Sequence, residues 1–301
     1  HFGTRFLLEQ IELTSLLFRG PFHKDGAVKK LELGLTVGFA SDPNESFRQV
    51  AELGIPTCQV TGTAEAALAG KYSDPEKVRG AADKAGVRIS SVFLLWEGQQ
   101  FDNVNGPSTM GLVAPRFRDE RLRSGKLYSD WVARMGIDSI TCHIGFIPDD
   151  ERDPVYETFV DAMRDLALHC KRNGQKFCFE TGQELPSTLK RTIRDVGTGN
   201  LFVNLDPANL ILYGKANPLD AEEIFGEYVR GLHAKDGVWP NRDEALGHET
   251  PLGEGAVRFD LLIRRLKAKG FEGPLTIERE IHGPQQRVDI LRAIKILEPM
   301  L

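Results

Sequence analysis

KFCFETGQELPSTLKRTIRDVGTGNLFVNLD, residues 176–206, is the stretch on which the fold turns. It opens on a short run rich in aromatic residues, continues through an amphipathic stretch of helical length, and closes on a second run of β-branched and aromatic residues. Strand, helix and strand in that order, with too long a connection for a tight hairpin, make a parallel βαβ unit.

The same alternation extends outward in both directions. The strand candidates are LELGLTVGF from Leu31, TCQVTG from Thr57, VRISSVFLLW from Val87, SITCHIGF from Ser139, KFCFETG from Lys176, LFVNLD from Leu201, VRGLHAKD from Val229 and PLTIERE from Pro274. Each is followed by a helical pattern, and Gly54, Gly86, Gly136, Gly174 and Gly270 stand where a left-handed helix terminus is needed before the next strand. Repeated right-handed crossovers of this kind close a sheet on itself, so the chain is expected to be an α/β protein, a (β/α)8 TIM barrel over residues 31–301 with residues 1–30 as an N-terminal arm or helix. An open doubly wound sheet fits less well, because VGFASDPNES after the first strand carries no GxGxxG and no Walker A lysine loop is present. Two long connections, Glu97 to Pro115 and Val238 to Arg258, follow strands, on the face where barrel enzymes place their chemistry.

Composition narrows the partners. The net charge of −5 gives no excess positive field for a polyanion, so nucleic acid is not expected. The longest uncharged stretch, Asn103 to Pro115, is too short and too polar to span a bilayer, so no membrane partner is expected either. Cys58, Cys142, Cys170 and Cys178 are scattered without a CxxC pair, and three of them sit in apolar strand-like runs, which points to reduced thiols and a cytoplasmic protein. The apolar run Ile11 to Phe18, flanked and interrupted by Glu9 and Glu12, is a poor signal-peptide core. A homo-oligomer is the one macromolecular partner this reading leaves room for.

Four side chains able to bind metal stand at the carboxyl ends of four successive strands: Glu180 in FCFETG, Asp206 in FVNLD, His233 in VRGLH and Glu278 in LTIE. Strand parity groups Cys178 with Glu180, Asn204 with Asp206, Gly231 with His233 and Thr276 with Glu278. The opposite parity carries Phe177, Phe179, Val203, Leu205, Leu232, Leu275 and Ile277, which suits packing under helices and turns the polar set inward. Three carboxylates facing a barrel interior are costly unless a cation compensates them. Three oxygen ligands and one imidazole, without thiolate, suit one divalent ion: Mn²⁺, Mg²⁺, Co²⁺ or Zn²⁺.

HIGF from His143, ETGQE from Glu180, NLDPANLILYG from Asn204, HAKDG from His233, PLGEGAVRF from Pro251 and IERE from Ile277 together resemble the sugar isomerase/epimerase superfamily, the xylose-isomerase-like TIM barrels, over nearly the whole chain from Leu31 onward. The resemblance implies that Glu180, Asp206, His233 and Glu278 hold one divalent metal. It further implies that Glu180 and Glu278 form the acid/base pair that moves a proton next to a carbonyl through a metal-stabilised enediolate, as in a sugar isomerase or epimerase. Many members carry a histidine three residues after the aspartate; here Asn209 takes that place, which leaves the substrate open.

Around this set, His143 is expected to bind a hydroxyl or serve as an acid, Lys235 to polarise a substrate oxygen, and Asn209, Trp96 and Glu97 to contact the substrate, the tryptophan as a platform under a sugar ring. Asp236 could cap the following loop. Glu280 shares the face of Glu278, with pairing to Arg279 or Arg258 as the alternative, and the turn Gly253–Glu254–Gly255 reads as a tight loop before a helix, with phosphate binding as the alternative. His248 and His282 are expected to face solvent.

The resemblance thus implies a sugar or polyol as the small-molecule substrate, and the rivals are a dehydratase or lyase using the same intermediate, an AP endonuclease, and a non-catalytic sugar-binding barrel. The nuclease reading is weak: its characteristic aspartate and histidine before the GxG turn fall at Gly247 and Glu249.

Overall fold

The computed structural model describes residues 30–242 and 245–301. The arm expected over residues 1–30 therefore lies, apart from Lys30, outside the described residues. Ten strands follow in chain order: β1 Leu33–Gly38, β2 Thr57–Thr63, β3 Arg88–Leu95, β4 Ser139–Cys142, β5 Lys176–Glu180, β6 Leu201–Leu205, β7 Val229–Ala234, β8 Asp236–Val238, β9 His248–Thr250 and β10 Leu275–Ile277. Eight of them pair in parallel and close in the order β1-β10-β7-β6-β5-β4-β3-β2, the (β/α)8 barrel expected from the alternation. Seven of the eight sit within the expected runs, and β2 continues one residue beyond its run, to Thr63.

Parity sorts the barrel into two surfaces. Phe177, Phe179, Val203, Leu205, Leu232, Leu275 and Ile277 are buried in the layer between sheet and helices. The helices are built to cover them. Pro154–Arg172 starts at Asp153, whose carboxylate accepts the Val155 N–H at 2.8 Å, and has proline in its first turn, where no amide proton is required. Its Tyr156, Phe159, Val160, Met163, Leu166 and Cys170 recur at helical spacing and are buried, each large aliphatic or aromatic side chain contributing about 1.5–3 kcal/mol. The five glycines expected at helix ends have φ between 69° and 83°, a conformation costly for any residue with a Cβ. All four cysteines are free and buried. Among the described residues no helix is long and apolar enough to cross a membrane.

One connection departs from the sequence reading. The run VRGLHAKD is not one strand: β7 ends at Ala234, and Asp236 begins β8, which pairs antiparallel with β9 inside the stretch expected to be loop. Asp236 accounts for the change of direction, because its carboxylate accepts the N–H groups of Gly237, Gly253, Gly255 and Val257 at 2.8–3.1 Å and ties the returning chain to the end of the barrel. The connection after β3 is held from below. Buried Arg118 donates to the carbonyls of Leu112 and Val113, and Arg121 to those of Thr109 and Gly111.

Candidate metal centre and substrate cavity

At the carboxyl ends of β5, β6, β7 and β10, one ligand atom each from Glu180, Asp206, His233 and Glu278 lies within 4.8 Å of the others. His233 Nδ1 is the hub, 2.8 Å from Glu180 Oε1, 3.2 Å from Glu278 Oε2 and 3.6 Å from Asp206 Oδ2. Glu180, Asp206 and His233 are almost fully buried, and Glu278 opens slightly to the cavity above.

Each of the three buried groups has one atom held by the protein and one left over. Asn204 Nδ2 donates to Glu180 Oε2. Asp206 Oδ1 caps the helix Pro207–Leu212 by accepting the Asn209 N–H at 2.9 Å. His233 Nε2 lies 2.8 Å from Gln59 Oε1; the amide oxygen can only accept, so Nε2 carries a proton and Nδ1 is left facing the carboxylates. Although burial lowers the ring's pKa, Glu180 and Glu278 raise it well above its ordinary value, so that a cation bound there would take the place of a proton on Nδ1. The atoms left over, Glu180 Oε1, Asp206 Oδ2 and His233 Nδ1, are buried without a hydrogen-bond partner and all point to one place. Orphaned acceptors of this kind cost about 1–3 kcal/mol each, more when charged. The donor set fits a divalent cation.

Electrostatics agrees with the geometry. Burial, helped by the neighbouring Asp206 and Glu278, lifts the Glu180 carboxyl to about 7 against the pull of His233. Burial also works to raise Glu278, but the charges of Lys235 and His233 outweigh it and hold that carboxyl well below the usual range. Lys235 is buried, and burial alone would lower its pKa; Glu278, Asp206 and Glu280 instead raise it well above its ordinary value. The three carboxylates of the ligand set, Glu180, Asp206 and Glu278, set against the one ammonium of Lys235 leave two negative charges, which a divalent ion would neutralise.

Glycine at position 231 is a requirement of this arrangement. A Cβ there would come within 2.2 Å of Asn204 Oδ1, displacing the amide that orients Glu180. Gln59 sits in β2, which is not a neighbour of β7, and its own Nε2 donates to Thr141 Oγ1 at 3.3 Å, which in turn meets Ser91. Replacing Gln59 with leucine is expected to release the His233 ring and weaken cation binding about 10- to 100-fold, while Gln59→Glu, which keeps an acceptor at Nε2, restores most of it. Titration of metal-free protein with Mn²⁺ checks this; unchanged affinity in the leucine variant would remove Gln59 from the site.

Above the ligand atoms lies a cavity of about 230 Å³. Its walls include Phe93, Leu95, Phe101, Leu212 and Tyr213, with Thr61, His143, Asn209, Glu278 and Glu280 as the polar part. Lys235 Nζ reaches Glu280 Oε1 at 3.0 Å, Glu278 Oε2 at 3.2 Å, Asn209 Oδ1 at 3.2 Å and Asp206 Oδ2 at 3.6 Å. Thus Lys235, Asn209 and His143 are brought to the site. His143 packs against Phe93 and Phe101, its Nδ1 has no partner, and burial together with the charge of Lys235 pushes its pKa down to about 3, so the ring is neutral.

Trp96 and Glu97 are placed elsewhere. In β3, Phe93 and Leu95 face the cavity, so Trp96 turns outward with Leu94 into the layer under the helix Arg118–Arg134, where its Nε1 donates to Ser124 Oγ at 3.0 Å. Glu97 lies past the strand end, exposed beside Lys71. Arg279 pairs with Glu249 and Asp289, and Arg258 with Asp260, so Glu280 is left to Lys235. The Gly253–Gly255 turn spends the Gly253 and Gly255 N–H groups on Asp236 and the Glu254 N–H on the Pro251 carbonyl, and has none for a phosphate there. His248 and His282 are exposed.

Sequence reasoning missed Gln59, Asn204 as an orienting group, Thr61, Phe93 and Tyr213. The first four carry a signal, because each shares its strand's inward parity with other polar, small or cavity-facing residues. Tyr213, beyond the helix Pro207–Leu212, carries none.

A family model described as xylose isomerase-like TIM barrel matches residues 47–299. Among solved structures, a xylose isomerase domain protein from Planctomyces limnophilus is 34% identical, with 90% of this chain and 97% of that one covered and a TM-score of 0.80. A xylose isomerase-like TIM barrel protein from Mycobacterium smegmatis in complex with magnesium is 19% identical, covering 92% of this chain and 98% of its own at a TM-score of 0.65. A D-psicose 3-epimerase solved in the presence of D-fructose is 16% identical, covering 90% and 97% at 0.67. At such identities the last two show a shared fold. No curated protein matches the chain.

Proposed function

The chain belongs to the xylose isomerase-like TIM barrel family, and from that premise we propose that it is a divalent-metal-dependent isomerase or epimerase of a keto-sugar or related polyol. The observation that carries the reading is the convergence of three orphaned buried ligand atoms, with Glu278, beneath a cavity of sugar size. The magnesium complex of one neighbour and the epimerase activity in another's name support it.

Glu180, Asp206, His233 and Glu278 would hold the cation, which when bound supplies stabilisation for negative charge on adjacent substrate oxygens as a C–H proton leaves. Glu278, at the cavity floor, and Glu180 are assigned the removal and return of that proton. Asn204 fixes one Glu180 oxygen so that the other stays directed at the site. Lys235 donates toward a substrate oxygen from an ammonium already held by Asn209 and three carboxylates, and neutral His143 offers Nδ1 to a hydroxyl. Phe93, Leu95 and Phe101 exclude water from the reacting carbon.

Incubation of metal-loaded protein with free keto-hexoses and keto-pentoses in D₂O tests the proposal. Deuterium is expected to enter the carbon next to the carbonyl with the carbon skeleton retained, and chelation is expected to stop it. Loss of water or of a leaving group would move the assignment to a lyase. Metal-bound protein that exchanges no substrate proton would leave a binding barrel.

A further inference from the structure

Resting on the proposed keto-sugar chemistry, the geometry points to an uncharged, unphosphorylated substrate, with Glu280 as the residue that excludes anionic sugars. A cation bound to the four ligands would balance the two negative charges left there after Lys235. Glu280, its side chain 61% exposed and its Oε1 3.0 Å from Lys235 Nζ, then leaves the cavity with an excess negative charge at its open side. Among the described residues no arginine lines this cavity. Lys235, the ammonium that reaches it, is shared among Glu278, Asp206, Glu280 and Asn209.

Among the described residues, the cavity-lining polar atoms that are buried without a partner are neutral. Thr61 Oγ1 and His143 Nδ1 are buried, lack partners and belong to cavity-lining residues, and burial keeps the imidazole uncharged. A hydroxyl satisfies both, donating to one and accepting from the other as each requires. A phosphate or carboxylate would have to displace Glu280 from Lys235 against like-charge repulsion, and the Gly253–Gly255 turn offers it no free N–H group because those donors are bound to Asp236 and the Pro251 carbonyl.

The test uses the metal-loaded full chain with D-fructose, D-fructose 6-phosphate and the corresponding keto-hexuronate, measuring binding by calorimetry and solvent exchange in D₂O. The neutral sugar is expected to bind at least about tenfold more tightly than either anion, a difference of about 1.4 kcal/mol. Glu280→Gln, at an exposed position where folding is not at stake, is expected to shrink that gap by freeing Lys235. Equal or tighter binding of the phosphate or the uronate by the wild-type chain overturns the inference, as does failure of all three to bind. So does a gap unchanged in Glu280→Gln. Binding without exchange of any ligand counts against the isomerase reading alone, and the binding order still decides this one.

Discussion

Glu278→Gln is expected to lower metal-dependent deuterium exchange into a keto-sugar by about 10²- to 10⁴-fold, the range typical of a lost general acid or base. The substitution conserves shape and removes one negative charge from the set around His233 Nδ1, so the barrel is expected to fold normally. It also deletes the anionic acceptor that Lys235 meets at 3.2 Å. Because the same carboxylate is assigned a metal ligand, metal content must be measured on the variant, and the rate compared at saturating metal. A variant that holds its cation and still exchanges at the wild-type rate would take proton transfer away from Glu278.

Lys235→Met is expected to separate two quantities that usually fall together. Removing the buried ammonium leaves three carboxylates without their counter-charge, so the metal-free protein should lose about 3–5 kcal/mol of stability, read as a lower midpoint in denaturant. The same loss leaves more negative charge facing the ion, so Mn²⁺ should bind about tenfold or more tightly and restore much of that stability. Exchange activity should nevertheless fall, because Asn209 and the substrate oxygen lose their donor. Tighter metal with a slower reaction is the signature of a residue that serves the substrate. Weaker metal binding would make Lys235 a support of the centre instead.

The barrel was legible because its rule is local: each strand is short, each helix carries an apolar stripe, and glycine closes the turns between them. The convergence of Glu180, Asp206, His233 and Glu278 followed from parity at strand ends, which a closed sheet turns into proximity. Trp96 shows where that rule was left unapplied, since the parity that places Phe93 and Leu95 inward sends the indole outward. For Gln59, parity marks the inward face but not the partner. It meets His233 across 174 positions of sequence, between strands that are not neighbours, and no periodicity within either strand encodes that contact. The β8–β9 pair is three residues on each side and mostly polar or small, so its strands exist because Asp236 gathers the returning backbone.

The close fit of Gly231, Asn204 and Glu180 makes these three positions an epistatic unit. A side chain at 231 is compatible only with a residue at 204 that has surrendered the space of the amide, and such a residue no longer steers the carboxylate at 180. Drift through single substitutions is therefore closed along this route. Homologous sequences should covary at the three sites as a block, even though 231 belongs neither to the ligand set nor to the cavity lining.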